Sequence, residues 1–99
     1  MNLPPGLVSQ RRTDVFTEDT VPAGLLKAHS TKAGTWGLIH VLEGQLVYRV
    51  TDHRRPASET LLTAETGPGV VEPTILHEVA APQPVRFFVE FYKAARQET

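Results

Sequence analysis

The sequence contains no cysteine. Disulfide stapling, thiolate metal sites and a cysteine nucleophile are thereby excluded together. No apolar run approaches the roughly 20 residues of a membrane-spanning helix. Charge of neither sign dominates, because 10 Lys and Arg stand against 11 Asp and Glu, a formal net charge of −1. Domains that hold nucleic acid carry a strongly basic face, so neither nucleic acid nor a membrane is an expected partner. The opening Met1 to Gly6 lacks a basic region followed by an apolar stretch, which predicts no signal peptide and a cytoplasmic location. Also missing are a Gly-rich phosphate loop of the Walker or dinucleotide type and a Gly-x-Ser-x-Gly elbow. Ser9, Ser30 and Ser58 have no base close to them in sequence, although such partners meet only in the fold.

Hydrophobic residues make up 40% and charged residues 21% of the 99, ordinary values for one folded domain over residues 1–99. A chain this short buries a modest share of its surface, which makes a homodimer expected. Proline and glycine recur at short intervals: Pro4-Pro5-Gly6, Pro22, Gly24, Gly34, Gly37, Gly44, Pro56, Gly67-Pro68-Gly69, Pro73, Pro82 and Pro84. Short apolar segments lie between them, the pattern of strands joined by turns. Arg54-Arg55, beside Pro56, reads as a solvated loop tip.

The clearest strand is Val85 to Tyr92. Val85, Phe87, Val89 and Phe91 share one apolar face, and Arg86, Phe88, Glu90 and Tyr92 share the other. The second face, two aromatics with two opposite charges, suits a pocket lining or a subunit interface. Trp36 to Val41, Glu43-Gly44 and Gln45 to Val50 read as a β-hairpin whose glycine closes the turn. Gly24 to His29, Gly69 to Glu72 and His77 to Ala80 are further short strands, and Thr60 to Thr63 is a weaker one. Lys93 to Glu98 is the only helix-compatible stretch. About six to nine short strands in such a chain predict an all-β sandwich or small barrel.

The residues suited to chemistry are the histidines and the carboxylates able to join them. Neutral imidazole is a common ligand of zinc, iron and nickel. Two imidazoles and one carboxylate gathered across a barrel would leave coordination positions open for water or substrate. His77 opens a strand after a Pro73 turn that fixes where its ring points; a ring bonded to a backbone carbonyl is the bland alternative. His29 ends a segment before the small-residue loop Ser30 to Gly37, and faces either a barrel mouth or solvent. His40 alternates with Trp36 and Leu38, opposite Ile39 and Val41, so it faces away. His53 lies in the polar loop Thr51 to Ser58. Glu90 interrupts an aromatic strand and is either a metal ligand or a partner of Arg86 on the same face. Glu72 and Glu78 are weaker candidates.

His29-Ser-Thr-Lys-Ala-Gly-Thr-Trp-Gly37, Val41-Leu-Glu-Gly44, Val71-Glu-Pro73 and His77 together resemble the TehB/YeaR-like domain family of small cupins. Phe16 to Gly24 and the closing Phe91-Tyr92 also fit, so the likeness covers nearly the whole chain. It implies a cupin-like double-stranded β-helix, the jelly-roll barrel, and a link to tellurite, related oxyanion or nitrosative stress. The first cupin motif normally carries a His-x-His pair and a glutamate, all missing here. A metal site would therefore be rebuilt from His29 and His77 with Glu90 as third ligand, holding a divalent transition metal such as zinc, nickel or iron. The methyltransferase domain of fused relatives is absent from these 99 residues.

The expected function is a metal-binding cupin module around His29 and His77 that responds to a small anion or another small molecule. Arg86 or Lys32 would attract the anion. Two alternatives stay open: a cupin dioxygenase or isomerase, since two histidines and a carboxylate form an open iron site, and a metal-free module that docks on a protein through the Phe88/Tyr92 face.

Overall fold

Side chains that alternate between buried and exposed build two antiparallel sheets in the computed structural model, which describes residues 2–95. In chain order the strands are β1 (Leu7–Arg12), β2 (Phe16–Thr17), β3 (Trp36–Gly44), β4 (Leu46–Val50), β5 (Ser58–Leu62), β6 (Gly69–Val71), β7 (His77–Ala80) and β8 (Val85–Ala94). A 3-10 turn, Ala23–Leu26, lies between β2 and β3. The larger sheet runs β1-β8-β3-β6, with β2 also paired to β8. The smaller runs β5-β4-β7. No helix among the described residues is long and apolar enough to cross a membrane.

The sheets pack face to face, and one core fills the space between them. Val41, Val85, Phe87 and Val89 enter it from the larger sheet, and Leu46, Tyr48, Leu62 and Val79 from the smaller. Burial along β8 alternates as its sequence predicts: Val85, Phe87 and Val89 are buried, whereas Arg86 is exposed and Phe88 half-buried. Tyr48 joins the layers, its hydroxyl donating to the Val70 carbonyl at 2.9 Å. Burial, with the Glu72 charge nearby, pushes that phenol up to about 12.

Three expectations need correction. The segment Trp36 to Val50 is not a hairpin, because β3 pairs with β8 and β6 while β4 pairs with β5 and β7. Gly44 is instead the corner where the chain leaves one sheet for the other. Its φ is +77°, and a Cβ there would collide with the Pro84 carbonyl. Second, Gly24 to His29 is not a strand: the 3-10 turn occupies its start, and His29 alone makes a bridge, to His77. Third, Lys93 and Ala94 extend β8 rather than begin a helix, and Ala95 follows it without helical structure; residues 96–98 of that tail lie outside the described residues. Two further strands, β1 and β2, carry too little apolar alternation to be read from sequence. Five of the six residues of β1 are exposed.

Candidate ligand pocket

His77 opens β7 after the turn Pro73-Thr74, in which Thr74 takes a left-handed φ of 65°. That turn is tied to the loop before β3 by the Thr74 N–H, which donates to the Thr31 carbonyl at 3.0 Å. Close to that anchor, His29 and His77 exchange both main-chain hydrogen bonds, each at 2.9 Å. Their side chains follow their backbones together, with ring centroids 4.2 Å apart and planes 60° apart.

Each ring is held by the backbone two residues before it. His29 Nδ1 lies 2.8 Å from the Lys27 carbonyl and His77 Nδ1 lies 3.0 Å from the Ile75 carbonyl. A carbonyl only accepts, so each Nδ1 carries the proton. Neither Nε2 has a hydrogen-bond partner among the described residues. His77 is 4% exposed, and burial pushes its pKa down, a shift that the Ile75 carbonyl opposes and the neighbouring His29 assists. Near neutral pH its Nε2 therefore offers a lone pair.

Both rings line a cavity of about 740 Å³ between the sheets. Its floor is apolar, formed by the buried Ile39, Val71, Val79, Phe87 and Val89. Its rim carries Arg11, Lys32 and Lys93 beside Ser30, Thr31 and Thr35, and all three cations are exposed or half-buried. No Asp or Glu lines it among the described residues. Lys32, named with Arg86 as a cation able to attract an anion, lines the pocket, although its sequence position alone does not place it there. Arg11 and Lys93 carry no such signal, because β1 lacks an apolar period and Lys93 lies two residues past the last apolar position of β8, Phe91.

Glu90 is not brought to the histidines. It follows the opposite parity to Val89 and Phe91, so its carboxylate lies on the outer face of the larger sheet, although only 8% exposed. Ser9 Oγ donates to it at 2.7 Å and His40 Nε2 at 3.1 Å, and Arg12 pairs with it at 3.5 Å. Those donors, Ser9 foremost, outweigh burial and hold its carboxyl below the usual range. His40 faces outward as its alternation predicts, stacked on Phe88 at 4.7 Å. Arg86 is not the partner of Glu90 and does not approach the pocket; it pairs with Glu43 at 2.9 Å. Among the described residues no group of three His, Asp or Glu is placed to hold a metal ion.

Arg54-Arg55 is exposed, as a solvated loop tip should be, but both guanidinium groups pair with carboxylates. Asp52, 3% exposed, accepts from the Arg54 guanidinium at 2.8 Å and from the Leu76 N–H at 3.0 Å, one residue before His77. Arg55 pairs with Glu72 at 2.6 Å, Arg49 approaches Glu78 at 3.5 Å, and His53 stays exposed. The Arg54 side chain, then the Leu76 and Arg54 amides, hold the Asp52 carboxyl well below its ordinary value of 3.8. A depressed carboxyl contributes stability above its unfolded value and loses it on acidification. Asp52→Ala should lower the melting temperature by roughly 5 °C at pH 7. In melts at successive pH values the gap to wild type should narrow below pH 3.8; a constant gap would assign the loss to packing alone.

Comparison with known proteins points the same way as the motifs. A probable S-adenosyl-L-methionine-dependent methyltransferase TehB of Haemophilus influenzae is 36% identical over 76 residues, 76% of this chain and 27% of that protein. The chain thus spans about a quarter of the length of the curated relatives it matches. A crystal structure of TehB from Haemophilus influenzae superposes with a TM-score of 0.82 at 29% identity, over 91% of this chain and 32% of that one. A crystal structure of an Escherichia coli (strain K12) protein shares the fold, with a TM-score of 0.83 at 22% identity over 97% and 99% of the two chains. The model of the TehB-like domain matches residues 11–89, and the chain belongs to that family.

Proposed function

We propose that this chain is a small-ligand-binding module of the cupin type, its pocket centred on His29 and His77, which serves a response to tellurite, related oxyanion or nitrosative stress. The observation that carries this reading is the pair of imidazoles, both tied through Nδ1 and both with Nε2 free, in a cavity of about 740 Å³. Pockets that take small molecules combine apolar walls with a few fixed polar groups. The jelly-roll assignment draws on the way the chain changes sheet between β3 and β4 and again from β5 through β8. The stress link draws on the motif resemblance to the TehB/YeaR-like family.

A second reading, a divalent transition metal on the two Nε2 atoms, is favoured by the Nδ1–H bonds to carbonyls, an arrangement common behind metal-ligating histidines. Two neutral protein ligands without a carboxylate make an incomplete site, and the three-ligand set of an iron oxygenase is not assembled. That weighs against the dioxygenase or isomerase alternative. Methyl transfer does not carry over, because the matched segment holds no Gly-rich cofactor motif. The half-buried Trp36, Leu38 and Phe88 on the outer sheet face support a homodimer in solution; a monomeric mass by light scattering would sink it.

Tag-free protein purified under native conditions tests the two readings together, beside His29→Ala and His77→Ala. Mass spectrometry of the denatured samples should find a small molecule released by wild type and missing from His77→Ala. Elemental analysis should find about one metal per chain, lost in both variants, if the metal reading holds. Neither species in any sample, with all three proteins folded, would leave a protein-docking module.

A further inference from the structure

Among the described residues, the cations other than Lys27 fall into two groups. Arg12, Arg49, Arg54, Arg55 and Arg86 each pair with a carboxylate, and none of them lines the cavity. Arg11, Lys32 and Lys93 all line it, and none has an ion-pair partner among the described residues. They reach its rim from three separate elements: β1, the loop before β3, and the end of β8. The Arg11 guanidinium lies over the Phe91 ring, 4.6 Å from its centroid, and both residues line the cavity.

Resting on the ligand-pocket reading, we propose that the occupant is a small organic anion with an apolar body, its charged group at the Arg11/Lys32/Lys93 rim and its body on the floor of Ile39, Val71, Val79 and Phe87. Three unpaired cations with no acidic neighbour in the lining set a positive potential at the mouth, and a cleft with low-dielectric walls concentrates that field. A cationic or neutral ligand gains nothing from it. An inorganic oxyanion would satisfy the rim alone and leave the buried floor uncovered. An apolar body displaces water from that floor, and burying apolar surface is the main favourable term in association. A carboxylate suits the rim geometrically, since Arg11 offers it a planar fork and the lysines offer point charges.

Four probes separate the two halves of this assignment: phenylacetate, its uncharged isostere phenylacetamide, acetate and tellurite. Binding is read by calorimetry and by the imidazole nitrogen signals of His29 and His77, with the double variant Lys32→Glu/Lys93→Glu beside wild type. Both substitutions lie at the rim, outside the buried core. Phenylacetate should shift both imidazoles and bind at least about tenfold more tightly than the other three probes. The double variant should weaken phenylacetate about tenfold and leave phenylacetamide unchanged. Equal binding of phenylacetamide, or an unchanged double variant, would overturn the anionic half while the pocket reading stands. Equal binding of acetate or tellurite would overturn the apolar half, again with the pocket intact. If no probe moves either imidazole, both the assignment and the ligand-pocket reading fall.

Discussion

Phe87→Ala should lower the free energy of unfolding by about 3–5 kcal/mol, the cost of truncating a large aromatic in a close-packed core. Phe87 is fully buried near the start of β8, the strand that pairs with β1, β2 and β3. Its ring meets Phe16 edge-on at 5.7 Å, so truncation removes an aromatic contact together with buried area. Domains of this size have roughly 5–15 kcal/mol in total, so the variant should sit near the edge of folding at physiological temperature. Urea denaturation checks this, with a reduced midpoint at an unchanged slope. The same ring forms part of the pocket floor. A loss below about 1 kcal/mol would mean that the sheets close over the space and the cavity does not keep its shape.

Gly44→Ala should be nearly as damaging, at about 3 kcal/mol or more. Two effects add there. A left-handed backbone costs a non-glycine residue about 1–2 kcal/mol, and the new methyl would run into the Pro84 carbonyl, which belongs to the turn before β8. Gly67→Ala separates the two, because Gly67 has a φ of +78° and a methyl there would meet nothing within 4 Å. Chemical denaturation should place Gly67→Ala about 1 kcal/mol below wild type and Gly44→Ala well below that. Equal losses would show that the corner yields and that the close approach of β3 to Pro84 carries no stability.

These two positions also mark what is legible in the sequence. Phe87 reads as core because β8 alternates cleanly, and periodicity reports which residues share a face. Gly44 reads as a turn, yet nothing local distinguishes a hairpin turn from a corner between sheets. Turn chemistry states that the chain reverses; it does not state which sheet the next strand joins. The exposed β1 carries no apolar period at all, which hides Arg11. His29 and His77 are legible through the motif likeness, and their meeting follows from a backbone bridge that no spacing predicts. Glu90 escapes for a subtler reason. Its parity, opposite Val89, is plain in the sequence, but parity does not say which face holds the ligand. Between two packed sheets the core and the cavity occupy the same interior, so a residue facing away from the core also faces away from the cavity.

The wall that carries His29 is fastened to the rest of the protein by few main-chain bonds: the reciprocal pair with His77 and the Thr74 to Thr31 bond. It shares no ladder with either sheet. Segments attached in this way tolerate changes of length and composition, since doubling a loop costs only about 0.6 kcal/mol in closure entropy. Changes of length or of exposed residues within 30–35, Lys32 among them, should therefore leave both sheets in place. On the ligand-pocket reading proposed above, a fixed imidazole pair beside a replaceable wall would diversify what is bound while keeping how it is held.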